Sequence, residues 1–143
     1  MVIILKILNL LEQISNVTKA IYNFPPKRYI VICPGASSED KCWPKERYKK
    51  LVKEIMNNFE IKIIICGSKK EKGLIKDIML DFESDFLKDI YGKSLLEFIE
   101  IIRNALFIIG NDSSAVHIAS LVKTKSICIY GGKLYKRFIP YPK

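Results

Sequence analysis

Residues 61–82, IKIIICGSKKEKGLIKDIMLDF, decide the fold that the sequence predicts. The run Ile61–Cys66 is almost continuously apolar, as expected of a strand that is covered on both faces. Gly67 and Ser68 predict a turn, and helical spacing then continues over about residues 71–82. A buried strand that leads into a helix of this length is the repeating unit of a parallel α/β sheet.

The same alternation of short apolar runs and amphipathic segments continues on both sides of this stretch. It predicts further strands at 29–33, 87–91, 106–109 and 126–130, and helices at 4–22, 45–58, 95–104 and 114–121. The helix at 95–104 has a clear start signal, because Ser94 and Glu97 form a capping-box pattern. The predicted fold class is therefore α/β, with a Rossmann-like doubly wound parallel sheet.

Composition indicates a single globular domain. The chain has 143 residues, of which 49% are hydrophobic and 27% charged, and this excludes a disordered or fibrous protein. No stretch approaches the roughly 20 apolar residues of a membrane-spanning helix. Residues 2–11 lack the basic flank and small-residue cleavage site of a signal peptide. We therefore expect a cytoplasmic protein that is at most peripheral on the membrane.

Cysteine and histidine usage argues against a metal site, while the charge favours an anionic partner. The four cysteines show no C-x-x-C spacing, and His117 is the only histidine, so zinc-finger and HExxH sites cannot be assembled. Lys and Arg number 24 against 15 Asp and Glu, which gives a net charge of +9. Nucleotide phosphates, nucleic acid and anionic lipids all fit this charge, and so does a generally Lys-rich composition.

Ligands of a doubly wound sheet bind beyond the carboxyl ends of its strands, so the loops at that edge hold the candidate site. The loop PGASSEDKCWP at 34–44 combines small residues, two hydroxyls and Lys41 near a helix start. This composition suits the binding of a phosphate or diphosphate, although the loop matches neither of the glycine-rich phosphate-binding motifs, G-x-x-x-x-G-K-[ST] and G-x-G-x-x-G. An ordinary polar turn is the alternative interpretation.

The loop GNDSS at 110–114 follows a strand and opens a helix. Asp112 or Ser113 is therefore expected to be the N-cap, with free amides directed at the ligand crevice, although helix capping alone explains both residues. His117 lies about one turn further on, where the helix N-terminus disfavours its protonated form.

Residues 133–143 are basic and aromatic, a composition that suits binding to nucleic acid or to a membrane surface, and equally a solvated terminus.

Four segments, read in order, resemble the C-terminal half of glycosyltransferase family 9, the ADP-heptose:lipopolysaccharide heptosyltransferases. They are PGASSEDKCWPKERY, CGSKKE, GKSLLEFIEIIRNA and GNDSSAVHIAS, and the resemblance covers about residues 29–141. It implies a nucleotide-sugar-binding Rossmann-like domain over 29–143, the C-terminal half of an inverting GT-B glycosyltransferase. Residues 1–28 would be a linker or docking helix.

The resemblance also implies roles for seven side chains. Ser37, Ser38 and Lys41 would contact the donor diphosphate, with Lys41 offsetting the charge that grows on the leaving nucleotide. Glu71 would contact the ribose or adenosine.

In the family's GNDSG-x-x-H stretch, Asp112 would face the sugar, Ser113 would belong to the same donor contact, and His117 would lie near the phosphates. Lys41 and Asp112 are the implied catalytic residues. Two departures from the family pattern are Ser114 in place of glycine and Gly132 in place of proline.

The same resemblance implies that the acceptor domain is absent, and with it the acidic residue that serves as the catalytic base, so we expect this chain alone to be inactive. The implied donor is ADP-heptose without a metal or other cofactor. The implied partners are a phosphorylated lipopolysaccharide acceptor and a separate N-terminal-domain chain. One alternative is a non-catalytic nucleotide-binding or assembly module. A basic nucleic-acid-binding domain is less favoured, because RNP, KH and helix-turn-helix patterns are missing.

Overall fold

Five parallel strands form one sheet within residues 2–21 and 29–130, the residues that our computed structural model describes. The strands are β1 Tyr29–Cys33, β2 Lys62–Gly67, β3 Leu87–Tyr91, β4 Phe107–Asn111 and β5 Lys125–Ile129. Their order across the sheet is β3-β2-β1-β4-β5. The order reverses between β1 and β4, which makes their carboxyl ends the topological switch point of a doubly wound sheet.

Helices cover both faces of the sheet. They are α1 Val2–Ile21, α2 Lys45–Asn58, α3 Lys72–Met79, α4 Leu95–Arg103 and α5 Ser114–Leu121, with 3-10 turns at Glu39–Lys41 and Lys69–Glu71. The predicted α/β class and doubly wound parallel sheet are confirmed. The capping box is confirmed as well, since the Ser94 hydroxyl accepts from the Glu97 backbone N–H, and the Glu97 carboxylate accepts from the Ser94 N–H.

Alternation along β1 divides the core into two layers. Ile30 and Ile32 point to the layer that contains α1, α2 and α3, whereas Val31 and Cys33 point to the layer of α4 and α5. All four side chains are buried. Each fully buried aliphatic side chain contributes about 1.5–3 kcal/mol relative to an exposed one, so the central strand anchors both layers.

The first helix packs onto the domain through one stripe. Ile4 and Ile7 are buried in the layer that contains α2 and α3, while Ile3, Leu5 and Leu10 are exposed. The predicted helix is therefore present. Neither this helix nor any other in the described ranges is long and apolar enough to cross a membrane. The basic and aromatic segment 133–143 lies outside the described residues.

Two boundaries differ from the prediction in ways that affect the site. The strand predicted at 106–109 extends further, because β4 continues through Gly110 and Asn111, which pair with Cys128 and Ile129 of β5. The helix predicted at 71–82 is shorter at both ends, because residue 71 belongs to the 3-10 turn Lys69–Glu71 and α3 ends at Met79. The extension of β4 and the 3-10 turn both lie at the carboxyl edge of the sheet, where tertiary contacts decide the backbone path.

Candidate functional site

A cavity of about 510 Å³ lies at the carboxyl ends of β1, β2 and β3, and the start of α5 after β4 closes it at the switch point. The loops after β1, β2 and β4 contribute most of its polar lining, and β3 with α4 contributes apolar side chains. The polar side chains are Ser37, Ser68, Glu71, Lys93, Ser113 and Ser114, and the apolar ones include Ile90, Leu95 and Phe98. This is the place where a doubly wound sheet binds its ligands.

The cavity brings together three of the seven side chains that the sequence singled out. Ser37, Glu71 and Ser113, from three different loops, all line it. The other four lie outside the lining formed by the described residues: Ser38, Lys41, Asp112 and His117. Ser38 and Lys41 belong to the 3-10 turn region of the first loop, where Ser38 is exposed and Lys41 is half-buried.

The Glu71 carboxylate is held by a hydrogen bond and lies against the backbone of two glycines. Its carboxylate accepts a hydrogen bond from the Ser68 backbone N–H, which completes a second capping box. A Cβ added to Gly35 would lie 1.5 Å from Glu71 Oε1, and one added to Gly67 would lie 2.7 Å from Oε2. A side chain at either position would have to displace the Glu71 carboxylate, which occupies that space.

Ser113 occupies the N-cap position of α5, with an extended backbone at φ −147 and ψ 173. The N-cap prediction is thus correct in position, but the side chain caps nothing. Its hydroxyl is buried and has no hydrogen-bond partner within residues 2–21 and 29–130. A buried unpaired hydroxyl costs about 1–3 kcal/mol, so a ligand oxygen that pairs with it would recover this free energy on binding.

Asp112 and His117 face each other across the first turn of α5. Asp112 Oδ1 lies 3.8 Å from His117 Nε2. The Asp112 side chain is 11% exposed and that of His117 is 41% exposed, so the histidine is the more accessible partner. The pair lies next to Ser113 in sequence, at the same helix start, but outside the cavity wall.

Asn111 is the functional candidate that the sequence analysis missed. It is fully buried at the end of β4. Its Oδ1 accepts hydrogen bonds from the Trp43 backbone N–H and the Tyr48 hydroxyl, both at 3.0 Å. Its Nδ2 donates to Pro34 O at 2.7 Å and to Gly35 O at 3.4 Å. The sequence signal that points to it is an asparagine at the end of an apolar run. A side-chain amide in a buried strand must find hydrogen-bond partners inside the protein.

Two buried thiols form part of the cavity lining. Cys33 ends β1 and Cys66 lies in β2, and both belong to the layer of α4 and α5. Burial raises the pKa of Cys66 to about 12 and holds the pKa of Cys33 well above its usual range. Both groups are therefore neutral at physiological pH and present an uncharged surface to an anionic ligand.

Among the described residues, no group of three or more His, Cys, Asp or Glu side chains is arranged to hold a metal ion.

Fold and cavity together define a Rossmann-like α/β domain with its candidate ligand cavity at the carboxyl edge of the sheet. A sequence model of glycosyltransferase family 9 (heptosyltransferase) matches residues 9–143, and the chain belongs to this family.

Individual relatives agree with that family. Lipopolysaccharide heptosyltransferase 1 of Campylobacter coli is 35% identical over 130 residues, which cover 88% of this chain and 36% of the relative. Lipopolysaccharide heptosyltransferase 3 of Escherichia coli K12 is 30% identical over 105 residues, covering 72% of this chain and 30% of the relative. The chain thus spans about a third of the length of the curated relatives it matches.

The fold agrees with that of a solved heptosyltransferase. The E. coli heptosyltransferase WaaC with ADP-2-deoxy-2-fluoro heptose has a TM-score of 0.70 at 22% identity, covering 86% of this chain and 38% of WaaC. The Rossmann-like α/β fold of this chain therefore matches part of a heptosyltransferase structure, as the sequence resemblance implied.

Proposed function

We propose that this chain is the donor-binding part of a heptosyltransferase-like enzyme of lipopolysaccharide core synthesis, with ADP-heptose as its donor. The observation that carries the proposal is the cavity at the switch point, where Ser37, Glu71 and Ser113 meet. WaaC, whose fold is similar, binds an ADP-heptose analogue. The net charge of +9 suits a diphosphate donor and a phosphorylated acceptor.

The lining of the cavity suggests how the donor would lie. The unpaired hydroxyl of Ser113 and the hydroxyl of Ser37 suit phosphate oxygens, because both belong to loops that end at helix or 3-10 starts. Glu71 suits a ribose hydroxyl, since its carboxylate is fixed and can accept a hydrogen bond. Ile90 and Phe98 offer an apolar surface for the base.

The remaining assigned residues would act from the edges of this cavity. Ser38 and Lys41 would complete the diphosphate contact, because the long stem of Lys41 lets its ammonium group move towards the leaving phosphate. Asp112 would face the sugar, with His117 behind it at 3.8 Å. In this proposal Lys41 and Asp112 are the catalytic residues, and they act by electrostatic stabilisation and orientation.

The proposed reaction is an inverting transfer. The acceptor hydroxyl oxygen attacks the anomeric carbon, the bond from that carbon to the β-phosphate oxygen breaks, and ADP leaves with the bonding electrons. The proton of the acceptor hydroxyl passes to a base, which we place on an acceptor domain outside this chain. A lipopolysaccharide acceptor would set the location of the reaction at the cytoplasmic face of the membrane.

Calorimetric titration tests the donor assignment. The purified chain is titrated with ADP, ADP-heptose, UDP and GDP, and we expect binding of the adenine ligands only. Lys41→Ala and Asp112→Ala should each weaken ADP binding about tenfold or more. Lys53→Ala, which removes an exposed lysine from α2, is the charge-matched control and should bind as the parent does. A folded chain that binds none of the four nucleotides would overturn the proposal.

A second experiment distinguishes an enzyme from a non-catalytic module. An N-terminal acceptor domain from a relative is added to the chain together with ADP-heptose and acceptor. Heptose transfer that requires both chains supports the enzyme. ADP binding without transfer, when a full-length relative transfers under the same conditions, supports the module.

A further inference from the structure

One buried amide joins the two loops on which the proposed donor contacts lie. Asn111 Nδ2 bonds to the carbonyls of Pro34 and Gly35, at the start of the loop 34–44, and its Oδ1 bonds to the backbone N–H of Trp43, at the end of that loop. Asn111 therefore holds both ends of a loop whose middle carries Ser37, and it is itself followed directly by Asp112 and Ser113.

The hydrogen-bonding capacity of this amide is fully used. An Asn side chain has two N–H donors and two acceptor lone pairs, and here two donors and two acceptors are engaged, the fourth partner being the Tyr48 hydroxyl. Because the side chain is fully buried, a shift of the loop would leave several polar groups unpaired at once. Such a network specifies one loop position rather than several.

We propose that Asn111 is a positioning residue for the donor site: it sets the register of the loop 34–44 against the start of α5, so that Ser37 and Ser113 face one ligand. It acts through the loop and not by touching the ligand, because its side chain is fully buried and its amide is already engaged by four partners. The identity of the ligand rests on the proposed function, whereas the position of the loop 34–44 is a property of the free chain. An experiment can therefore contradict the donor assignment without contradicting the positioning role of Asn111, and the reverse.

The test compares Asn111→Ala with a control variant that loses a buried hydrogen bond far from the cavity. Thr124 is buried at the start of β5, at the opposite edge of the sheet, and its hydroxyl donates to Ile102 O at 3.0 Å. Thr124→Val removes this bond without changing the site. At a temperature where every variant is folded, Asn111→Ala should weaken ADP binding about tenfold or more, and Thr124→Val less than about twofold.

A readout without ligand uses Trp43, the only tryptophan of the chain. Its side chain is buried and its ring meets that of Tyr48 edge-on, with centroids 5.1 Å apart. Release of the loop should make Trp43 more accessible to acrylamide in Asn111→Ala, with a red-shifted emission, and leave it unchanged in Thr124→Val. The Trp43 fluorescence measurement gives a result even if the parent chain binds no ADP.

A conservative variant guards against a failure to fold. In Asn111→Asp the protonated carboxyl supplies one donor and one acceptor, whereas the ionised form would face the carbonyls of Pro34 and Gly35. ADP affinity relative to the parent should therefore recover between about pH 8 and about pH 5.5. Tyr48 contacts this position and interacts with Cys33, Cys42 and Cys128, and burial raises the pKa of all four, so they stay neutral in this range.

The outcomes separate the claims. Weaker ADP binding and an exposed Trp43 in Asn111→Ala, with neither in Thr124→Val, support the positioning role. Unchanged Trp43 accessibility overturns it, and so does an exposed Trp43 with unchanged ADP affinity. If the parent chain binds no ADP, the proposed function fails, and Trp43 accessibility alone decides whether Asn111 sets the loop register.

Discussion

The carboxylate of Glu71 lies against the backbone of Gly35, so closely that a Cβ on Gly35 would lie 1.5 Å from Glu71 Oε1 and 2.2 Å from its Cδ. The three atoms nearest to that Cβ all belong to the Glu71 side chain. The loop 34–44 and the turn after β2 thus pack against each other at Gly35. The position of Glu71, the proposed ribose contact, depends on the absence of a side chain at Gly35.

Gly35→Ala should move the Glu71 carboxylate out of the cavity and weaken ADP binding about tenfold. Gly35 does not have a positive φ, so alanine fits its backbone, and the flexible end of Glu71 is the group that must yield. Stability should therefore change by less than about 1.5 kcal/mol. Calorimetric titration with ADP and urea unfolding measure the two effects.

A double-mutant cycle checks the cause. In a Glu71→Ala background, Gly35→Ala should produce no further loss of ADP affinity, because the displaced group is already gone. Gly73→Ala is the matched glycine control, since nothing lies within 4 Å of its added Cβ, and it should bind ADP normally. Equal losses of affinity from Gly35→Ala in both backgrounds would show that Gly35 acts independently of Glu71.

Ser113→Ala should separate binding from stability. The buried hydroxyl is unpaired within the described ranges and caps no backbone group, so its removal should leave the free energy of unfolding unchanged or raise it by up to about 1 kcal/mol. ADP affinity should fall about tenfold, because the ligand loses a hydrogen bond in a desolvated site. Ser126→Ala, at an exposed position of β5, should change neither quantity. A clear loss of stability with normal ADP binding would contradict this account.

The fold could be predicted from the sequence because apolar runs and helical spacing are local signals. The helix predicted at residues 45–58 is α2, and the strand predicted at 87–91 is β3, with the same bounds. Apolar runs such as Ile61–Cys66 leave little choice, since only a strand covered on both faces accommodates them. These signals do not depend on contacts distant in sequence.

The site was predictable only in part, because loop geometry depends on distant partners. The family resemblance pointed to Ser37, Glu71 and Ser113, which line the cavity, but it did not indicate that Lys41 would lie outside that lining. The sequence predicts a loop at Asn111, because the partners that hold it in β4 and in the core are 63 to 77 residues away in the chain. The second capping box at Ser68 was readable as an S-x-x-E pattern, since it depends on local spacing alone.

Ser94→Ala should lower the free energy of unfolding by about 1 kcal/mol. The Ser94 hydroxyl accepts from the Glu97 N–H at the start of α4, and alanine leaves that N–H without its partner. Urea unfolding measures the change, with Leu96→Ala, an exposed residue in the same turn, as the control that should have a smaller effect. Equal losses in the two variants would mean that the cap contributes nothing specific.

The buried thiols should make the domain less stable at alkaline pH. Burial raises the pKa of Cys66 from 9.0 to about 12, so the folded protein keeps a proton that the unfolded chain releases above pH 9. Unfolding then releases protons, and stability falls as pH rises, by up to about 1.4 kcal/mol per pH unit for each such thiol. Cys128, whose pKa is raised to about 11, contributes in the same direction.

Cys66→Ala isolates this effect from the other groups that titrate at alkaline pH. The variant should be less stable than the parent at pH 8, because it leaves a small void beside the cavity, but its stability should fall less steeply between about pH 9 and pH 11. Urea unfolding under reducing conditions gives both curves. Cys42→Ala is the control, because Cys42 is far less buried and its pKa is raised less, so its curve should stay nearly parallel to that of the parent. A Cys66→Ala curve that is also parallel to that of the parent would mean that the Cys66 thiol ionises equally in the folded and unfolded states, and that its burial does not raise its pKa.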